Sequence, residues 1–138
     1  MWIIFSFLSS VFAALMAIFT KIGLKSINPI LGLSLRTFIV SIFCIVSIII
    51  NKSYKEIPKL NNVSLLWIFL TSIVTFLTWL FYYLALSKGE VHKTLAIDKL
   101  SIVLTVIISV IFLHEKISIY GIIGILFLVI GGLMVALF

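Results

Sequence analysis

Charged side chains stand at positions where this apolar sequence gives them no ordinary use. Asp98 and Lys99 are consecutive, near the start of a run that continues to Leu113 almost entirely as Ile, Val, Leu and Phe. Arg36 lies about two turns inside another such run, and Lys21 closes a third. A charge that deep in hydrocarbon costs on the order of 3 kcal/mol, so it needs a partner or a polar cavity. On a helix Thr94, Asp98, Ser101, Thr105 and Ser109 recur at helical spacing and form one polar stripe, which reads as the wall of a binding cavity. Asp98 and Lys99 point in different directions and do not simply neutralise each other. Arg36, at similar depth, is the expected partner of Asp98. Lys99 and Lys21 then remain as positive charge near the cavity, which favours an anionic or zwitterionic ligand. The plainer alternative has Lys99 and Lys21 anchored at the interface, their heads reaching the headgroups.

The chemistry this set supports is binding and release. No Ser/His/Asp or paired-carboxylate constellation faces a water-accessible site, so the expectation is that the protein is not an enzyme. His92 and His114 do not make a metal site, and the single cysteine, Cys44, excludes a cysteine cluster. No glycine-rich phosphate loop is present, and neither a metal nor a cofactor is expected. The net charge of +6 is carried mainly by loop lysines, which points to anionic headgroups and orientation rather than to nucleic acid.

The elements that must position these residues are membrane helices. Of the 138 residues 64% are hydrophobic and 10% charged, with a mean hydropathy of +1.42, far from the balance of a soluble domain. Apolar runs of about twenty residues predict an all-α integral membrane bundle of five transmembrane helices, a single domain over residues 1–138. The helices are expected at about residues 2–20, 28–50, 63–86, 91–113 and 117–138. The first lacks a basic leader and is read as a retained helix rather than a cleaved signal. Its face of Ser6, Ser10, Ala13, Ala17 and Lys21 suits close helix packing. Asn28-Pro29 is a helix start, with Asn as N-cap and Pro at the first helical position. In the third helix Thr71, Thr75, Thr78 and Tyr82 share a face with Trp79 and Tyr83 beside it, so Trp79 and Tyr82 are expected to shape the cavity, with interfacial anchoring as the alternative. Gly121, Gly124, Gly131 and Gly132 make the uncharged last helix a packing or dimerisation surface.

Short motifs occur in a characteristic order: Ala17-Ile18-Phe19-Thr20-Lys21-Ile22-Gly23, Leu35-Arg36-Thr37, Trp79-Leu80-Phe81-Tyr82-Tyr83-Leu84-Ala85-Leu86, Ile97-Asp98-Lys99-Leu100-Ser101, and Leu113-His114-Glu115-Lys116-Ile117-Ser118 before a glycine-containing final helix. Together they resemble the EamA domain of the drug/metabolite transporter superfamily over essentially the whole chain. The Asp98-Lys99 pair is similar to that of short, single-domain members. Most members carry two such domains as inverted repeats and export metabolites or amino acids by alternating access. The resemblance therefore implies one half of an inverted-repeat transporter fold, a small-molecule substrate, and a bacterial cytoplasmic (inner) membrane. The residues themselves, by depth, charge and face, make Lys21, Arg36, Trp79, Tyr82, Asp98, Lys99 and Ser101 the expected substrate-binding or coupling set.

Five is an odd number, so the second half of a fused protein is inverted relative to the first, and a lone domain copies that architecture only by inserting both ways. The loop lysines permit this. Lys52, Lys55, Lys59 and Lys116 fall on one side and Lys21, Lys25, Lys88 and Lys93 on the other, which gives no positive-inside preference. The expected assembly is an antiparallel homodimer in membrane lipid. The competing reading is a non-transporting assembly subunit whose polar stripe binds another protein's helix; a flippase for a lipid-linked carrier is a variant of the transport reading.

Overall fold

The structure, a computed structural model, describes residues 1–138 and consists of helices and their connections. Five spans are long and apolar enough to cross a membrane. They divide between two compact units, residues 1–87 and 88–138.

The first unit contains α1 (Trp2–Gly23), α2 (Pro29–Ile50) and α3 (Asn62–Lys88, closing at the unit boundary). α1 runs on past the expected end at Thr20, which brings Lys21 inside its last turn. Asn28 caps α2: its Oδ1 accepts the Ile30 N–H at 2.9 Å, and Pro29 occupies the first position, where no N–H is needed. A 3-10 segment, Ser53–Lys59, leads to α3 and packs on α2. It begins after Lys52, whose φ of 57° turns the chain out of α2. α3 has 27 residues, about 40 Å of helix, more than a hydrocarbon core of about 30 Å requires. The buried side chains of the unit are Ala17 of α1, Leu33 of α2, and Tyr83 and Leu86 of α3. Of the α1 face expected to pack, Ala17 is buried and Lys21 half-buried, while Ser6, Ser10 and Ala13 are exposed in this chain. The rest of each helix exposes large apolar side chains, a surface suited to lipid and not to water.

The second unit contains α4 (Val91–Asp98), α5 (Ser101–Phe112) and α6 (Ile119–Leu137). Residues 91–113 were expected as one helix. α4 and α5 are instead the halves of one span broken at Lys99-Leu100. There the backbone tightens to i→i−3 bonding: the Leu100 N–H donates to the Ile97 carbonyl at 2.9 Å, and those of Ile102 and Val103 donate to Lys99 and Leu100 at 3.1 Å. Lys99 and Leu100 keep φ near −65° with ψ of −15° and −20°, values at the 3-10 end of the helical range. Leu100 thus turns away from the Ala96 carbonyl that a continuous α-helix would give it. That carbonyl faces Gly132 of α6: a Cβ added at Gly132 would lie 3.2 Å from it. α4 packs along α6 more extensively than α5 does. His114, with φ of 53°, ends the span. Ser118 then caps α6, its Oγ accepting the Tyr120 N–H at 3.3 Å, so this helix starts at Ile119, slightly later than expected.

Candidate functional site

α1 and α2 form a hairpin through the short turn at Leu24–Asn28, and this sets the depth of their side chains. Met16 stands seven residues before the end of α1 and Arg36 seven after the start of α2, each about 10 Å from its helix end. The hairpin places them level, and Arg36 Nη2 donates to Met16 Sδ at 2.9 Å. From α3, Trp79 offers its ring face to the guanidinium, with Arg36 Cζ 4.6 Å from the indole centroid; the Tyr83 ring lies at 5.8 Å. A cation over aromatic faces in a desolvated setting gains about 2 kcal/mol, and guanidinium is the cation best shaped for it. Arg36 Nη1 is covered and has no hydrogen-bond acceptor. The carboxylate expected beside Arg36, that of Asp98, belongs to the other unit. What the first unit itself gives the guanidinium is two rings and a thioether.

A cleft of about 570 Å³ runs along α1 and α2 and is lined by Phe12, Met16, Phe19, Leu24, Leu35, Arg36 and Tyr83, among others. It lies in the size range of small-molecule pockets, and its lining is apolar apart from Arg36, Thr20 and the hydroxyl-bearing Tyr83. A second cleft, of about 460 Å³, lies between α2 and α3 and is lined by Thr37, Trp67, Thr71, Thr75 and Trp79. Trp79 therefore has one neighbour at the first cleft, Arg36, and is itself a wall of the second.

Of the residues expected at the site, the first unit brings Arg36 and Trp79 together. Tyr82 is half-buried on α3, next to the buried Tyr83. Lys21 reaches across from α1 and donates from Nζ to the Leu86 carbonyl at 2.6 Å, in the last turn of α3. It thereby meets an acceptor at the negative end of that helix. In the second unit Asp98 is the last residue of α4, Lys99 lies at the break and Ser101 opens α5; all three are exposed in this chain. Where bonding is i→i−3, residues three apart eclipse, so Asp98 and Ser101 keep to one side of the tightened turn. Glu90 pairs with His92 at 3.4 Å and Lys93 at 3.8 Å, outside the span's centre.

The hydroxyls of α3 line clefts, Thr71 and Thr75 the second one and Thr78 the space beside it, with Thr71 and Thr78 donating within their own helix. Thr71 and Thr78 bond the carbonyls of Trp67 and Val74 at 2.8 and 2.9 Å, and Thr105 and Ser109 bond those of Ser101 and Val106 at 2.9 and 3.0 Å. Back-bonding satisfies these hydroxyls inside their own helices, which is how a hydroxyl survives in an apolar medium. Met16 was not among the expected residues. Its signal is its level with Arg36, and an uncharged thioether in an apolar helix does not stand out by residue type.

Residues 1–137 match the EamA-like transporter family. The chain is 32% identical over 139 residues to a protein of Sinorhizobium sp named "Uncharacterized transporter in cobO 3'region", covering 99% of this chain and 97% of that protein. No solved structure matches. Membrane-crossing helices in this order, and a family match over nearly the whole length, lead to one conclusion: the chain belongs to the EamA-like transporter family.

Proposed function

We propose that the chain is a secondary transporter that exports a small anionic or zwitterionic metabolite across the bacterial cytoplasmic membrane by alternating access, working as an antiparallel homodimer of single five-helix domains. Family membership and the relative named as a transporter support transport; the observation that carries the ligand class is Arg36, a guanidinium about 10 Å inside a span and held over the Trp79 ring at 4.6 Å beside a cleft. Such a cation is retained in a membrane at a cost, and binding a charged solute is the use that offsets it. Arg36, Trp79 and Tyr82 shape the binding region from the first unit. Asp98, Lys99 and Ser101, at a broken helix, are proposed for ligand contact or ion coupling, since irregular backbone inside a span is tolerated where it lines a cavity. Lys21 supports the set from the end of α1.

Two measurements test this. Purified protein in proteoliposomes is assayed for counterflow of charged metabolites, and protein that moves none of them in either direction leaves the assembly-subunit reading. Single-cysteine variants Lys25→Cys and Lys55→Cys, in a Cys44→Ser background, are labelled with an impermeant thiol reagent. Each should label from both sides of the membrane. Labelling from one side only excludes the antiparallel dimer and leaves transport to a parallel or mixed assembly.

A further inference from the structure

The first cleft is apolar along most of its length and carries one guanidinium in its wall. That guanidinium has poor hydrogen-bonding company. Nη1 has no acceptor, and Nη2 is spent on a thioether sulfur, among the weakest acceptors a protein offers. The rings of Trp79 and Tyr83, with centroids 4.6 and 5.8 Å from Cζ, attract the cation through their faces and supply no carboxylate or carbonyl acceptor to its N–H groups. Met16 and Arg36 both line the cleft, so moving the sulfur aside opens the guanidinium edge to it. Methionine is the side chain best able to make that move, being unbranched with several rotatable bonds.

From this we infer that the cleft binds a single-tailed amphiphilic monocarboxylate, and that Met16 Sδ holds the carboxylate's place on Arg36 until the ligand arrives. The inference rests on the transport reading only in taking the cleft as the substrate's site. The ligand's planar carboxylate replaces the sulfur at Nη2 and reaches Nη1 beside it, the bidentate geometry that guanidinium favours. One guanidinium balances one charge, which selects a monoanion over a dianion. The apolar body lies against Phe12, Phe19 and Leu35. A volume of about 570 Å³ accommodates one such tail.

Trp79 supplies the readout, because it touches the group the carboxylate engages. The chain has three tryptophans, so a Trp2→Phe, Trp67→Phe background leaves Trp79 as the only indole. In phosphatidylcholine nanodiscs, decanoate should change Trp79 emission saturably. Decanol and decyltrimethylammonium, with the same tail and no negative charge, should not. Arg36→Gln and Arg36→Lys should each weaken the decanoate response by at least roughly tenfold, because neither keeps the planar fork. Size-exclusion profiles establish that these variants are folded. Met16→Leu conserves volume and stays folded; with no sulfur to displace, it should bind decanoate roughly threefold to tenfold more tightly. An equal response to decanol, no saturable response, or weaker binding by Met16→Leu overturns the inference. So does the same emission change on adding phosphatidylglycerol to the discs without decanoate, which assigns the site to a lipid headgroup. The transport reading fails separately: protein that binds decanoate but moves no charged metabolite in proteoliposomes sinks transport and leaves the site, whereas counterflow of a charged metabolite with no saturable decanoate response sinks the site and leaves transport.

Discussion

Lys21 is the residue whose removal the structure makes most calculable. Its Nζ lies 2.6 Å from the Leu86 carbonyl, and Leu86 is fully buried. Lys21→Met keeps most of the side chain's length and removes the charge and its donors. A hydrogen bond from a charged donor contributes about 1.5–3 kcal/mol in soluble proteins. Polar contacts between membrane helices measure lower, about 0.6 kcal/mol on average and about 1.7 at most, because the unfolded chain in a bilayer also finds partners. The short distance and the carbonyl's place in the last turn of α3 argue for the top of that lower range. The expected loss is therefore about 1–2 kcal/mol, a factor of roughly 5–30 in the folded-to-unfolded ratio. The assay is reversible unfolding by dodecyl sulfate in mixed micelles, followed by circular dichroism. Lys25→Met serves as the control, since Lys25 is exposed in the turn after α1 and also loses a positive charge. If Lys21→Met and Lys25→Met unfold together within about 0.5 kcal/mol, the contact does not tie α1 to α3 and the reasoning fails.

Gly132→Leu should disrupt the second unit much more than Gly124→Leu, because a Cβ at Gly132 meets the Ala96 carbonyl at 3.2 Å and one at Gly124 meets nothing within 4 Å; the difference is read in the same unfolding titration. His114→Gly should stabilise the chain by about 1 kcal/mol, because glycine takes the 53° φ there without the cost to a Cβ; a lower unfolding midpoint would contradict this.

Much of the fold was legible because membrane insertion leaves a coarse imprint. Long apolar runs mark the spans, and Asn28-Pro29 marks the start of α2, since both residue types satisfy the end of a helix locally. The depth of Arg36 and Trp79 could be counted along their helices for the same reason. The company of Arg36 could not. Counting charges seeks a carboxylate, while the groups that hold the guanidinium within the first unit are ring faces and a sulfur, which carry no formal charge. The break at Lys99-Leu100 left no mark either: sharp helix interruptions usually fall at Pro or Gly, and residues 96–101 contain neither. Its trace lies some thirty positions downstream, in Gly132, whose lack of a side chain matters only once α6 lies against Ala96. Spacing reports which face a threonine or serine occupies, while its bond to a carbonyl of its own helix depends on the side-chain rotamer, which spacing does not carry.

The interruption at Lys99-Leu100 changes how a load passes through the second unit. A continuous helix bends a little everywhere, so a push at one end fades along its length. A span with one tightened turn concentrates its compliance there and behaves as two stiff arms at an elbow. α4 is the better-anchored arm, seated on α6 where the Ala96 carbonyl meets Gly132, and α5 is the longer arm with the lighter attachment. Displacing the far end of α5 therefore rotates it about the elbow, and the side chains that change their bearing first are those at the pivot, Asp98, Lys99 and Ser101.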